Sequence, residues 1–249
     1  MCYNEPMNSA SKKAELTEIS PLLKTSTGEF LLHEFHLALA KREWTILHAG
    51  VVLTHDDEKI FLEETRQRLP YGVALWPSSI ALAQDLASRG TLAFAGKTVL
   101  ELGAGTGLPG IVAASFGAHV VQTDTQELAL DVCRRNGRRN RQDTIEYRQV
   151  DWTNWQDTAQ YDLILGSDIL YGESMHEHLR FIFAQNLAPG GAVLLADPFR
   201  APGIRLLETL ENKEGWTVYG SKWKLGEASD PRAIGVFELS RPEGKGSIQ

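Results

Sequence analysis

Cysteine is scarce in this chain: two in 249 residues, Cys2 and Cys133. The first lies in an irregular amino-terminal stretch and the second in a stretch of helical spacing, so neither a disulfide framework nor a zinc cage is implied. An excess of positive charge is also missing. Lys and Arg number 25 against 32 Asp and Glu, a formal net charge of −7, so nucleic acid and anionic membranes are not expected partners. No apolar run reaches the roughly 20 residues of a membrane span. The segment Met1 to Pro6 lacks the basic patch and apolar run of a secretory signal, and a reducing, cytoplasmic setting is the expectation. Repeats and low-complexity tracts are missing as well. What is present is an ordinary globular composition, 43% hydrophobic and 23% charged, at a length suited to one domain with a full core.

Residues 1–28 are polar and aperiodic and read as a mobile arm. In the extension 29–70, Phe35 to Ala40 and Trp44 to Leu53 read as short strands about a turn at Lys41-Arg42-Glu43, and Lys59 to Leu69 as a short helix closed by Pro70. The main domain spans 71–240, with a frayed tail at 241–249. It opens with a helix, Pro77 to Arg89, which has Pro near its start and Gly90 at its end. Strands then alternate with helices: strand 98–102, helix 108–116, strand 119–123, helix 126–140, strands 145–150 and 161–165, helix 173–187, strand 192–196, helix 202–212. That alternation predicts a doubly wound α/β fold, a mainly parallel sheet with helices on both faces. The last two strands, 217–221 and 233–239, have no helix between them and should form an antiparallel hairpin at one edge.

The strongest local signal is the run Val99 to Gly110, in which a buried strand feeds a turn containing Gly103, Gly105 and Gly107 before a helix. Such a turn lets a ligand approach the backbone beyond the strand ends. A dinucleotide loop wants Gly-x-Gly-x-x-Gly, but here Leu108 stands in the third glycine's place. Glu101, two residues before the loop, would repel a pyrophosphate and suits the cationic methionine end of S-adenosylmethionine. Asp124, closing the next strand about 20 residues on, can accept hydrogen bonds from both ribose hydroxyls.

At these residues the chain resembles the class I, seven-strand methyltransferases, and more narrowly the family-16 protein methyltransferases, many of which act on lysine. The likeness runs from about Tyr71 to Phe237. It rests on Leu75-Trp76-Pro77-Ser78, on Gly96 to Leu108, on Asp151-Trp152, and on Asp162 to Tyr171 with its Ser167-Asp168-Ile169-Leu170-Tyr171 end. The glycine loop is common to the superfamily; the Trp-Pro, Asp-Trp and Asp-x-x-Tyr elements are specific to the branch. The resemblance implies a Rossmann-like, seven-stranded methyltransferase fold and a cofactor site made from Trp76, Gly103, Ala104, Gly105, Asp124, Trp152 and Ser167, with Asp151 an alternative partner for the adenine amino group.

Methyl transfer to an amine needs an unprotonated nucleophile aligned with the sulfonium methyl. For a free lysine at neutral pH, the neutral form lies about 4.6 kcal/mol above the cation. Asp168 is assigned to accept a hydrogen bond from the amine and align it, and Tyr171 to wall the site. The expected partner is a lysine-bearing protein, with residues 29–70 flanking the mouth. Two alternatives stand beside this: a small-amine N-methyltransferase, and a cofactor-binding interaction protein without turnover. Arg134, Arg135, Arg138, Arg139 and Arg141 read as the solvated face of a helix rather than an RNA site. His176 and His178 point different ways on a helix, and with His33 and His36 they give no metal site.

Overall fold

The computed structural model describes residues 21–26, 28–39, 41–52, 71–226 and 231–241. Two hairpins come first: β1 (Leu22–Thr25) pairs with β2 (Gly28–Leu31), and β3 (His33–Leu39) with β4 (Arg42–His48). Leu22–Thr25 and Gly28, read from sequence as part of an arm, therefore belong to a hairpin. The helix read at 59–69 lies outside the described residues.

The main body is one seven-stranded sheet. Its strands are β5 (Thr98–Leu102), β6 (His119–Asp124), β7 (Glu146–Gln149), β8 (Tyr161–Ser167), β9 (Leu187–Asp197), β10 (Thr217–Leu225) and β11 (Arg232–Ser240). They lie in the order β10-β11-β9-β8-β5-β6-β7. The five from β5 to β9 are mutually parallel, and β11 runs antiparallel to β9 and to β10. This is the mainly parallel, doubly wound sheet with a carboxy-terminal antiparallel hairpin that the alternation predicts. The hairpin's second strand is the one that pairs inward, which leaves β10 at the edge.

Among the described residues five helices cover the sheet: α1 (Pro77–Arg89), α2 (Leu108–Ser115), α3 (Glu127–Arg139), α4 (His176–Asn186) and α5 (Ala201–Glu214). Proline at the start of α1 and Gly90 at its end, with φ 72°, delimit a helix whose apolar residues are almost all buried. Two cores result. Leu82, Leu86, Ile111, Val112 and Phe94 pack on one face of the sheet, and Leu179, Ile182, Phe183, Leu206 and Leu210 on the other. Parallel strands buried on both faces read as continuous apolar runs, as β5 does.

The amino-terminal hairpins are held to this body by α3. Its apolar side, Ala129, Leu130, Val132 and Cys133, faces inward, and its arginines face out. Arg134 pairs with Glu127, Arg135 with Asp131 and with the carbonyl of Leu22, and Arg139 with Glu34. Asn136 and Asn140 meet β4 as a strand would. Asn136 accepts from the Leu47 N–H at 2.7 Å and donates to the Leu47 carbonyl at 2.9 Å; Asn140 makes the same pair of bonds with Thr45 at 3.0 and 2.8 Å. Arg42, at the start of β4, reaches the carbonyl of Ser115 at the far end of α2 from the glycine loop. The described part of the extension thus lies along the helix layer, where its two edge carbonyls and amides find partners.

Candidate active site

The loop after β5 turns through Gly103, Gly105 and Gly107 with φ of 62°, 56° and 81°, a region that side-chain-bearing residues rarely occupy. Space is also tight: a Cβ on Gly103 would stand 2.9 Å from Ile169 Cγ2, and one on Gly105 would stand 2.9 Å from the carbonyl oxygen of Gly72. Buried Ala104 donates its N–H to the Thr123 carbonyl at 2.9 Å, which ties the loop to β6. Glu101, which the sequence reading set beside the cationic end of the cofactor, lies at the sheet side of the loop. Its carboxylate is fully buried beneath the loop, accepting from the Gly110 N–H of α2 at 3.1 Å and from Gln122 Nε2 at 2.6 Å. Desolvation pushes its pKa up to about 8, against the pull of those two donors. It is a brace between strand and helix.

Asp124 closes β6 beside this loop. Its Oδ2 accepts from the Gly105 N–H at 3.0 Å and its Oδ1 from the Gln126 N–H at 2.9 Å. Burial raises its pKa and the backbone bonds oppose the rise. Across from it runs the turn Tyr71–Val73. A Cβ at Gly72 would lie 3.4 Å from Gly105 Cα and 3.5 Å from Asp124 Oδ2. Gly72 is thus a contributor that the sequence reading missed, since nothing local marks a glycine that serves a loop 33 residues on. Trp76 precedes α1, gives its indole N–H to the Tyr71 carbonyl at 2.9 Å, and meets the Tyr71 ring edge-on at 6.5 Å. The two aromatics therefore stand as one unit at the loop's flank.

Trp152 lies on the other flank, its ring 3.5 Å from where a Gly103 Cβ would be. Its indole Nε1 is buried without a hydrogen-bond partner. An unmet buried donor costs about 1–3 kcal/mol, which a ligand acceptor would relieve. Asp151 next to it is exposed and uses Oδ1 to cap the following turn, accepting from the Thr153 N–H at 2.9 Å and its hydroxyl at 2.8 Å. Backbone turned inward by three glycines, a carboxylate at the next strand end and a buried donor fit an adenosine-bearing group.

Ser167 ends β8, paired with Ala196 of β9. Asp168 follows with φ 56°, its N–H bound to the Ala196 carbonyl at 2.9 Å. Ile169 and Leu170 are buried, and Ile169 reaches back to the Gly103 turn. Tyr171 is exposed. Asp168 is not a lone carboxylate. Its Oδ1 accepts from Arg200 Nη1, and Arg200 also lies 3.5 Å from Oδ2 of buried Asp197 at the end of β9. The sequence reading missed both residues, because the pairing joins separate strand ends.

A family model described as lysine methyltransferase matches residues 54–201. Among curated relatives, protein N-lysine methyltransferase METTL21A of Xenopus tropicalis is 34% identical over 149 residues, which are 58% of this chain and 68% of that protein. Histone-arginine methyltransferase METTL23 of Mus musculus is 37% identical over 107 residues, 41% of this chain and 42% of its own length. Among solved structures, N-methyltransferase NodS from Bradyrhizobium japonicum WM9, in complex with S-adenosyl-L-homocysteine, has a TM-score of 0.54 at 18% identity, covering 67% of this chain and 89% of that one. That last likeness is one of fold.

Proposed function

This chain belongs to the lysine methyltransferase family, and from that premise we propose that it methylates the side-chain amine of a lysine in a protein substrate. Its cofactor is S-adenosylmethionine, which when bound supplies an electrophilic sulfonium methyl. Gly103, Ala104 and Gly105 let the cofactor lie against backbone, Asp124 accepts from its ribose hydroxyls, and Trp76, Trp152 and Ser167 wall it. Asp168 receives the amine: Oδ2, the oxygen Arg200 leaves alone, accepts an amine N–H and turns the nitrogen lone pair toward the loop. Tyr171 forms the outer wall of the acceptor channel.

The observation that carries the reading is the Asp168 carboxylate, held at a strand end with one oxygen fixed and the other, Oδ2, buried without a partner. An arginine acceptor, the substrate class named for the mouse relative, calls for bidentate carboxylate contact. Here a guanidinium of the chain itself already binds that carboxylate. Incubating lysate with the enzyme and methyl-labelled cofactor tests the proposal. Label should enter protein and be recovered as methyllysine. Label confined to metabolites or recovered as methylarginine would refute the lysine reading.

A further inference from the structure

Arg200 is placed by unusual backbone. β9 ends at Asp197, Pro198 follows, and Phe199 adopts φ 60°. That turn brings Arg200, the N-cap of α5, back over the strand ends, where its N–H donates to Asp197 Oδ1 at 2.6 Å. Asp168 on the neighbouring strand also has positive φ. The other two non-glycine residues of this kind among the described ones, Lys41 and Arg141, sit in a hairpin turn and just past a helix end. Backbone strain held at adjacent strand ends is a mark of functional geometry.

The charges there do not cancel. Asp168 and Asp197 have side chains only 9% and 1% exposed, and both keep a buried Oδ2 without a hydrogen bond. One guanidinium serves the two, so the cluster carries one net negative charge when both carboxylates are ionised; burial raises the Asp197 pKa and Arg200 opposes the rise. Nearby Arg205 is taken up by Glu173, at 2.9 Å from its Nε, and Lys222 stands over the Phe199 ring at 5.9 Å. A buried charged cluster is poor as a stabilising device, so its presence here points to function.

Resting on the reading of Asp168 as the residue that meets the acceptor amine, we propose that Arg200, clamped by Asp197, is a positioning residue of the acceptor site. It fixes Asp168 so that Oδ2 faces the amine, and it holds the site to a single net negative charge. The second role matters because two unopposed carboxylates would favour the ammonium over the neutral amine that attacks. Without Arg200 the site should hold a cation more tightly and methylate it more slowly. A residue that merely supported the fold would lose both properties together.

The test uses full-length wild type, Arg200→Gln and Arg200→Lys, each loaded with S-adenosylhomocysteine and titrated with n-butylammonium as a lysine side-chain probe, reading the Asp168 carboxylate carbon by NMR. Labelling rates on lysate protein are measured in parallel with S-adenosylmethionine. Calorimetry should show S-adenosylhomocysteine affinity within about twofold of wild type in each variant, which establishes folding. Arg200→Gln should bind butylammonium at least about threefold more tightly and label protein at least about tenfold more slowly. Arg200→Lys should recover both in part, because it restores charge but not the planar fork. Loss of both properties, no change, or a change in one alone overturns the role of Arg200. If wild-type Asp168 fails to respond to butylammonium, the acceptor reading itself fails, and this role with it.

Discussion

The roles proposed for Asp124 and Asp168 separate binding from chemistry: Asp124 closes the strand beside the glycine loop, and Asp168 follows the end of β8. Removing Asp124 forfeits charge-assisted bonds of about 1.5–3 kcal/mol, so Asp124→Ala should weaken cofactor binding at least about tenfold by calorimetry. An unchanged affinity would remove it from the ribose site. Asp168→Asn should instead cut kcat by about a hundredfold and leave cofactor affinity within about twofold, the signature of a contact made during transfer. Glu101 carries a pH dependence. Its folded pKa of about 8 lies above its ordinary value of 4.5, so the folded state binds the extra proton between those limits. The stability this gives is full below the lower value and is lost as pH rises to the upper one. Melting temperature should therefore fall with pH across that window more steeply in wild type than in Glu101→Gln, whose amide oxygen can still serve Gly110 and Gln122. Parallel profiles would show that Glu101 is ionised in its cavity. The glycines and Asp124 were legible because their spacing is a local rule. Arg200 was not, since its partner Asp168 lies 32 residues away and no spacing rule joins two strand ends.

Among the elements, α3 has two duties on one helix. Its inner face packs on the sheet, and its carboxamides hold a hairpin from outside the main domain. Asn136 is fully buried and makes three bonds, two to Leu47 and one at 2.9 Å to the carbonyl of Thr106 in the glycine turn. It therefore couples the hairpin to the cofactor loop. Asn136→Ala strands three buried groups and should cost about 2–4 kcal/mol in denaturant unfolding, with a weaker cofactor affinity as the loop loosens. Asn140→Ala, half-buried and remote from the loop, should cost less and leave the cofactor alone. Equal effects on cofactor binding would mean that the link through Thr106 carries nothing. The strands and helices of the main domain were legible from alternation of apolar runs with turn signals. The start of β9 was not: it extends back through Pro189-Gly190-Gly191 to Leu187, with an irregular register against Tyr161 and Leu163. Those breakers normally end a strand, and here they stay unpaired, bulging between Leu187 opposite Tyr161 and Ala192 opposite Leu163, where the pairing to β8 resumes. The docking of the hairpin was also hidden, because asparagine on a helix face gives no sign of whether it bonds water or a strand edge.

At the scale of the whole molecule the acidic balance, −7 overall, should act on the encounter with the proposed substrate rather than on the chemistry. A lysine-bearing surface would be drawn in by a long-range field, and that field is cut by salt with a Debye length of about 10 Å at 0.1 M. The cluster of Asp168, Arg200 and Asp197 is different: its carboxylates are buried, so salt reaches it poorly. The two effects should separate in kinetics once a labelled acceptor has been isolated from lysate. Raising NaCl from about 0.05 to about 0.3 M should lower kcat/KM severalfold through the encounter rate while kcat at saturation stays nearly constant. Cofactor binding measured across the same range should change less than kcat/KM. A flat kcat/KM would mean that the acceptor is recognised by contact alone and that the acidic surface has no part in recruiting it. A kcat that falls in step with kcat/KM would place salt-sensitive charge at the reacting centre itself, against the burial of these carboxylates.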